Sequence, residues 1–255
     1  MNDSSLQILH PGRSASQRKG LVIVPAFNES DSVGRVVEQL IGALPDFDVV
    51  VIDDGSTDAT VHRVPDGAKL ITLPFNLGIG GAMQTGYRYA AIRGYDVAVQ
   101  VDADGQHPPA QVRELIEQLE KAKADMVVGS RFLGASGYHV PWVRRTGIAW
   151  LRTLLRCLSG KTFTDCTSGF RAVNHRAIHA FAHWYPTDYP EPEVILLLHR
   201  SGFTIAEYPI PMQPRVTGET SIPLGRGLFY VIKVSAALLL DMFRQPWPWE
   251  KVDMS

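Results

Sequence analysis

The sequence predicts an α/β protein, a mostly parallel sheet with helices on both faces followed by a C-terminal helical segment. Three observations predict it. Short apolar runs rich in β-branched residues alternate with segments whose apolar residues recur every three or four positions, from Leu21 through Gly129. The runs are apolar throughout, as strands buried on both faces are. Most of them stop at turns of carboxylates, Gly or Pro, where an open parallel sheet keeps its ligands.

Taken in order, residues 1–19 are polar, with Ser, Arg, Lys and a Pro11-Gly12 pair, and read as a flexible tail without the apolar stretch of a secretory signal. Leu21–Val24 reads as a buried strand closed by Pro25, and Ser30, Asp31 or Ser32 as the cap of a helix whose inner face is Val33, Val36, Val37, Leu40, Ile41 and Leu44. In the loop between them, Phe27 suits either stacking on a base or packing over the helix. The strand Val49–Ile52 ends in Asp53-Asp54-Gly55-Ser56-Thr57-Asp58. One of the adjacent carboxylates caps the next helix and leaves the other to a ribose or base. A strand Lys69–Leu73 leads to Asn76-Leu77-Gly78-Ile79-Gly80-Gly81 and a helix through Ala82, Tyr87 and Ala90, whose start suits an anion.

The strand Val97–Val101 then breaks at Asp102-Ala103-Asp104-Gly105-Gln106-His107-Pro108. Val112, Leu115, Ile116 and Leu119 mark a helix, and Met126–Gly129 a strand. Residues 142–158 interleave Trp142, Trp150 and leucines with Arg144, Arg145, Arg152 and Arg156, equally the pattern of a helix packed on the sheet and of one lying on a membrane surface. Val194–Leu198 is an apolar helix preceded by Glu191 and Glu193, one of which reads as its cap. Gly227–Phe243 is a second interfacial candidate, interrupted by Lys233 and Asp241.

Composition narrows the function. With 255 residues and 45% apolar content, the chain has ample core. A formal net charge of −1 gives no global field for nucleic acid. Cys157 and Cys166 make neither a disulfide framework nor a zinc site. No uncharged apolar run is long enough for a transmembrane helix, so a cytoplasmic protein, peripheral on the membrane at most, is expected. The glycine cluster after Asn76 fails the dinucleotide pattern because Met83 occupies its last position, and no phosphate loop with Gly-Lys-Ser/Thr occurs. Asp102 and Asp104, at alternate positions past a strand, suit one hard cation, Mg²⁺ or Mn²⁺, with Gln106 as a neutral third oxygen. The same spacing is common in solvated turns and does not decide by itself.

The ordered series Ile23–Glu29, Asp53–Asp58, Asn76-Leu77-Gly78 and Asp102–Pro108 resembles the family 2 glycosyltransferases, with their Rossmann-like GT-A fold. Gly129-Ser130-Arg131, Asp165-Cys166-Thr167-Ser168-Gly169-Phe170-Arg171 and Glu207-Tyr208-Pro209-Ile210 are similar to the branch that makes dolichyl- or polyprenyl-phosphate mannose and glucose. The resemblance spans roughly residues 20–225 and implies a GT-A domain there, with a C-terminal amphipathic helix and tail over 226–255. It implies that Pro25, Phe27, Glu29, Ile52, Asp54, Asp102, Ala103 and Asp104 hold a GDP- or UDP-linked sugar. It implies too that Asp102, Asp104 and Gln106 bind the metal, and that Arg131, Ser168, Arg171 and Arg215 face an acceptor phosphate.

The chemistry expected of such a protein is inverting sugar transfer, in which Asp102, Asp104, Arg131, Arg171 and Asp165 carry the reaction. A phosphomonoester acceptor arrives already anionic. A hydroxyl acceptor on a soluble glycan or secondary metabolite requires a base, with Asp165 ranked ahead of Glu191 and Glu193. A nucleotide-sugar-binding module without catalysis is the third reading. The chain departs from the family where Arg215-Val216-Thr217-Gly218-Glu219-Thr220-Ser221 lacks the usual final Lys, and where Ile79 replaces another cation. The Gln-x-x-Arg-Trp motif of processive polymerising members is absent.

Overall fold

The computed structural model describes residues 19–134, 142–211 and 224–244. Its seven-stranded sheet comprises β1 (Gly20–Ala26), β2 (Phe47–Asp53), β3 (Lys69–Thr72), β4 (Val97–Gln100), β5 (Met126–Ser130), β6 (Arg171–Asn174) and β7 (Ile205–Pro209), in the order β3-β2-β1-β4-β6-β5-β7. All neighbouring pairs are parallel except those of β6, which runs antiparallel to both β4 and β5.

Side chains alternate across the sheet and build two cores. Leu21, Ile23, Val50 and Ile52 face one layer, formed by α2 (Gly78–Ile92), α4 (Trp142–Ser159), α5 (His175–His183), α6 (Pro190–Arg200) and α7 (Leu224–Asp241). Val22, Val24, Val49 and Val51 face the other, formed by α1 (Val33–Ala43) and α3 (Ala110–Lys121). Both faces are therefore covered, as expected.

Several local expectations change. Pro25 does not close the first strand; it lies inside β1, in register with Ile52. Ile23 O accepts from Val101 N–H on the β4 side, and Pro25, two residues on, points its missing N–H the same way, past the end of β4. Ser32 occupies the N-cap of α1, but its hydroxyl donates to Glu29 Oε2 at 2.8 Å instead of accepting from a helix amide. α6 starts at Pro190, so both Glu191 and Glu193 lie in its first turn and neither is the cap; that place belongs to Tyr189, at φ +49°.

The structure adds α5, capped by Asn174, whose Oδ1 accepts from Ala177 N–H at 3.0 Å. α7 begins two residues ahead of the expected boundary, and its Val234 and Leu238 join the sheet's core. Residues 1–18 and 245–255, and with them most of the expected tails, lie outside the described residues. Among the described residues no helix is long and apolar enough to cross a membrane.

Candidate active site

Because β1, β2 and β4 are parallel, their carboxyl ends share one edge of the sheet. The antiparallel β6 brings its beginning to that same edge, so Arg171 pairs in register with Gln100. The 165–170 loop is thereby laid beside the Asp102 turn.

At the β1 and β2 ends two loops are laced together. Asn28, at φ +55°, donates its N–H to Ser56 Oγ at 2.9 Å and accepts from Thr57 N–H at 2.9 Å, while Glu29 N–H donates to Thr60 Oγ1 at 2.8 Å. Phe27 stands out from this frame, 44% exposed. Pro25 and Ile52 are buried, the Ile52 side chain within the core. Of the adjacent carboxylates, Asp54 serves a helix start, that of α2 beyond β3. Its two oxygens accept from the N–H groups of Leu77 at 2.7 Å and Gly78 at 2.8 Å, so the anion at the start of α2 is this side chain. Asp53 is fully buried; one oxygen takes the Ser56 N–H at 3.3 Å and Oδ2 has no partner among the described residues. The glycines expected as a loop are helical: Gly80 lies in α2, where a Cβ would stand 2.0 Å from Pro186 O.

The Asp102 carboxylate receives the Gln100 amide on Oδ1 at 3.2 Å and has His107 Nε2 3.4 Å from Oδ2. Burial works against its charge, but the His107 contact and charge, the Gln100 amide and the Arg131 field outweigh it and hold the carboxyl below the ordinary range. His107 is itself fixed by stacking on Phe170, with ring centroids 4.8 Å apart. Gly169 packs closely here: a Cβ would lie 3.0 Å from Asp102 Oδ2 and 2.9 Å from Gln100 Nε2, and would press on both side-chain ends. Asp104 is buried and accepts from Gln106 N–H at 3.0 Å; Ala103 is buried, and Gln106 is half-buried.

Arg131 follows β5 and points into Asp165. Nε donates to Oδ2 at 2.6 Å and Nη2 to Oδ1 at 2.7 Å, and Nη2 also reaches Thr167 Oγ1 at 2.7 Å. Asp165 is wholly buried; burial opposes its charge, yet Arg131 keeps the carboxyl below the usual range. Glu207 of β7 holds the approach to this loop, accepting from Thr164 N–H and Oγ1 and from Asp165 N–H, each at 2.8 Å.

Arg171 is 1% exposed and has no carboxylate within salt-bridge distance among the described residues. Nε donates to Ser168 O at 2.8 Å and Nη2 to Glu191 O at 2.8 Å, while Nη1 has no partner among the described residues. Ser168 is buried, its Oγ accepting from Phe170 N–H at 3.3 Å. Burial pushes the Glu191 carboxyl up; Arg171 and Arg131 pull it down and Asp102 adds to the rise, which places these four charges within reach of one another.

The structure thus gathers Asp102, Asp104, Arg131, Asp165, Ser168 and Arg171 at one edge. Arg215 lies outside the described residues. Sequence reasoning gave no role to Gln100, His107 or Glu207, although His107 and Glu207 stand inside quoted motifs. A strand's last polar residue, and a histidine just beyond an acidic turn, were the available signals.

The chain matches the family description "Glycosyl transferase family 2" over residues 21–181. It is 34% identical over 221 residues to the undecaprenyl-phosphate mannosyltransferase of Micrococcus luteus, covering 80% of this chain and 88% of that one. It is 28% identical over 224 residues to the polyprenol monophosphomannose synthase of Mycolicibacterium smegmatis, covering 82% of each. Among solved structures it is similar to glucosyl-3-phosphoglycerate synthase from Mycobacterium tuberculosis in complex with Mn²⁺, UDP and phosphoglyceric acid. There the TM-score is 0.68 at 23% identity, over 91% of this chain and 80% of that one. The fold is the GT-A fold, and the chain is a transferase belonging to glycosyl transferase family 2.

Proposed function

We propose that this chain is a divalent-metal-dependent, inverting transferase that moves a sugar from a GDP- or UDP-linked donor onto a polyprenyl phosphate. The observation that carries the reading is Arg171, a buried guanidinium that among the described residues is bound only to carbonyls and has one nitrogen unpaired. A buried cation with no carboxylate hydrogen-bonded to it among the described residues is costly, and an acceptor phosphate would supply that bond. The printed names of the relatives support the same acceptor class.

The donor set fits a hard cation. Asp102 and Asp104 offer carboxylates and Gln106 an amide oxygen, and Mg²⁺ or Mn²⁺ is commonly held by one or two carboxylates with substrate phosphates completing the shell. When bound, the cation offsets charge on the departing diphosphate. Pro25, Phe27, Glu29, Ile52, Asp54 and Ala103 border the nucleotide, with exposed Phe27 free to lie against a base. Arg131 and Arg171, with Ser168 and Arg215, hold the acceptor so that its oxygen attacks the anomeric carbon opposite the diphosphate. A phosphomonoester is already an anion near neutral pH and needs no base. Asp165, wholly buried on Arg131, acts in this account as a positioning residue.

One observation favours a second reading. Glu191 sits near Asp102 and both arginines with its carboxyl raised by burial, the condition of a general base for a hydroxyl acceptor. A turnover assay with polyprenyl phosphate and with the matching free polyprenol, on the parent and on Glu191→Gln, tests the two. The proposal expects transfer to the phosphate only, with Glu191→Gln within about threefold of the parent. Transfer to the alcohol, abolished in Glu191→Gln by about 10²-fold or more, overturns it.

A further inference from the structure

The outward side of α7 is apolar along its length. Leu228, Phe229, Ile232, Leu239, Leu240 and, just past the helix, Phe243 recur at helical spacing and are all exposed, Phe243 by 88%. The inward side carries Val234 and Leu238, fully packed in the core. A helix on a water-facing surface needs one apolar face; this one has two.

Its neighbour supplies the charge. α4 packs beside α7, and Trp150, itself 56% exposed, donates Nε1–H to Ser235 Oγ at 3.0 Å. α4 carries four arginines and no acidic residue, in a chain of net charge −1. Arg145 and Arg156 are exposed. An apolar strip with a tryptophan and a basic flank is the chemistry of an anionic lipid surface.

We propose that the α7 outer face, flanked by α4, docks in the plane of an anionic phospholipid surface. This rests on the reading of the acceptor as a lipid phosphate. A second copy of the chain fits less well, because a two-fold contact through this face would bring two acid-free, arginine-rich helices together. The face is also tied to the site. Lys233 pairs with Asp188 at 2.7 Å and Tyr230 meets Tyr189 edge-on at 4.7 Å, gripping the segment whose Glu191 carbonyl holds Arg171. Docking would therefore bring the acceptor site to the surface in which its substrate lies.

The test is co-sedimentation of the full chain with vesicles of phosphatidylcholine alone and of phosphatidylcholine mixed with phosphatidylglycerol. Ile232→Glu/Leu240→Glu and Arg145→Glu/Arg156→Glu serve as variants, with thermal unfolding and turnover on a short-chain, water-soluble polyprenyl phosphate measured alongside. The parent is expected to bind the anionic vesicles, more weakly as salt rises, and each double variant to bind at least about tenfold more weakly. Unfolding and turnover on the soluble acceptor are expected to stay as in the parent. Unchanged vesicle binding by Ile232→Glu/Leu240→Glu, or no binding by the parent, overturns the proposal. So does a parent dimer that the same variant turns to monomer without altering vesicle binding. Intact, variant-sensitive vesicle binding with no turnover on the soluble phosphate would count against the acceptor reading and leave the docking standing.

Discussion

Arg131 and Arg171 are both buried arginines at one sheet edge, yet their surroundings give them different work. Arg131 is neutralised by Asp165 through two hydrogen bonds, so its fork is fixed before any ligand arrives. Replacing it by Ala leaves the Asp165 carboxylate buried without its counter-ion, an expected loss of about 3–5 kcal/mol in urea unfolding at neutral pH. Because the folded carboxyl sits below its ordinary value, the pair's contribution is present above the ordinary carboxylate range and fades as pH falls through the depressed value. The Arg131→Ala deficit should therefore shrink under acid.

Among the described residues no carboxylate pairs with Arg171, and under the proposed function its charge serves the acceptor phosphate. Arg171→Lys preserves charge but not the fork that spans Ser168 O and Glu191 O. An approximately 10²-fold fall in kcat/KM for the acceptor is expected, about 2.7 kcal/mol, with nucleotide binding within about twofold of the parent. Acceptor-varied steady-state kinetics and a nucleotide titration check the split.

At the scale of elements, α6 holds the most pH-sensitive packing. Burial, helped by Asp241, lifts the Glu193 carboxyl to about 7. A carboxyl raised in the fold costs nothing while it is protonated in both states, and penalises the fold as pH rises from its ordinary value through the raised one. Glu193→Gln should thus leave stability unchanged near pH 4 and raise it by about 1 kcal/mol near pH 8, the figure discounted for the solvent that reaches this side chain. Thermal melts at the two pH values read the difference. In α2, Gly80→Ala drives a methyl into the Pro186 and Thr187 carbonyls, at 2.0 and 2.4 Å. A loss of about 2 kcal/mol or more is expected, because both contacts are backbone.

The elements also explain what could be read in advance. β1, β2, β4 and β5, with α1 and α3, announced themselves by apolar runs and periodic faces. β6 did not, because four residues opening on an arginine carry no periodicity, and only pairing with Gln100 and Val128 makes them a strand. α5 escaped notice because, at nine residues, it shows its apolar face for little more than two turns. Asp102, Asp104 and Gln106 were legible as a turn of oxygen donors. The Arg131–Asp165 pair, 34 residues apart in sequence, and the grip of Glu207 on Thr164 and Asp165 exist only once the loops fold together.

For the whole molecule, the parallel strands and one reversed strand collect the carboxylates of Asp102, Asp104 and Asp165 and two arginines at a single edge, while the helical layer behind them ends in an exposed apolar face. Under the proposed function, Asp102 and a divalent cation together hold a nucleoside diphosphate at that edge. Calorimetric titration of GDP and of UDP, each with Mn²⁺ and with chelator, on the parent and on Asp102→Ala tests it most directly, with thermal unfolding confirming that the variant is folded. One nucleotide is expected to bind with Mn²⁺, and chelation or Asp102→Ala to weaken binding by at least about tenfold, roughly 1.4 kcal/mol. Nucleotide binding that is the same in chelator, or the same in the folded variant, would contradict it.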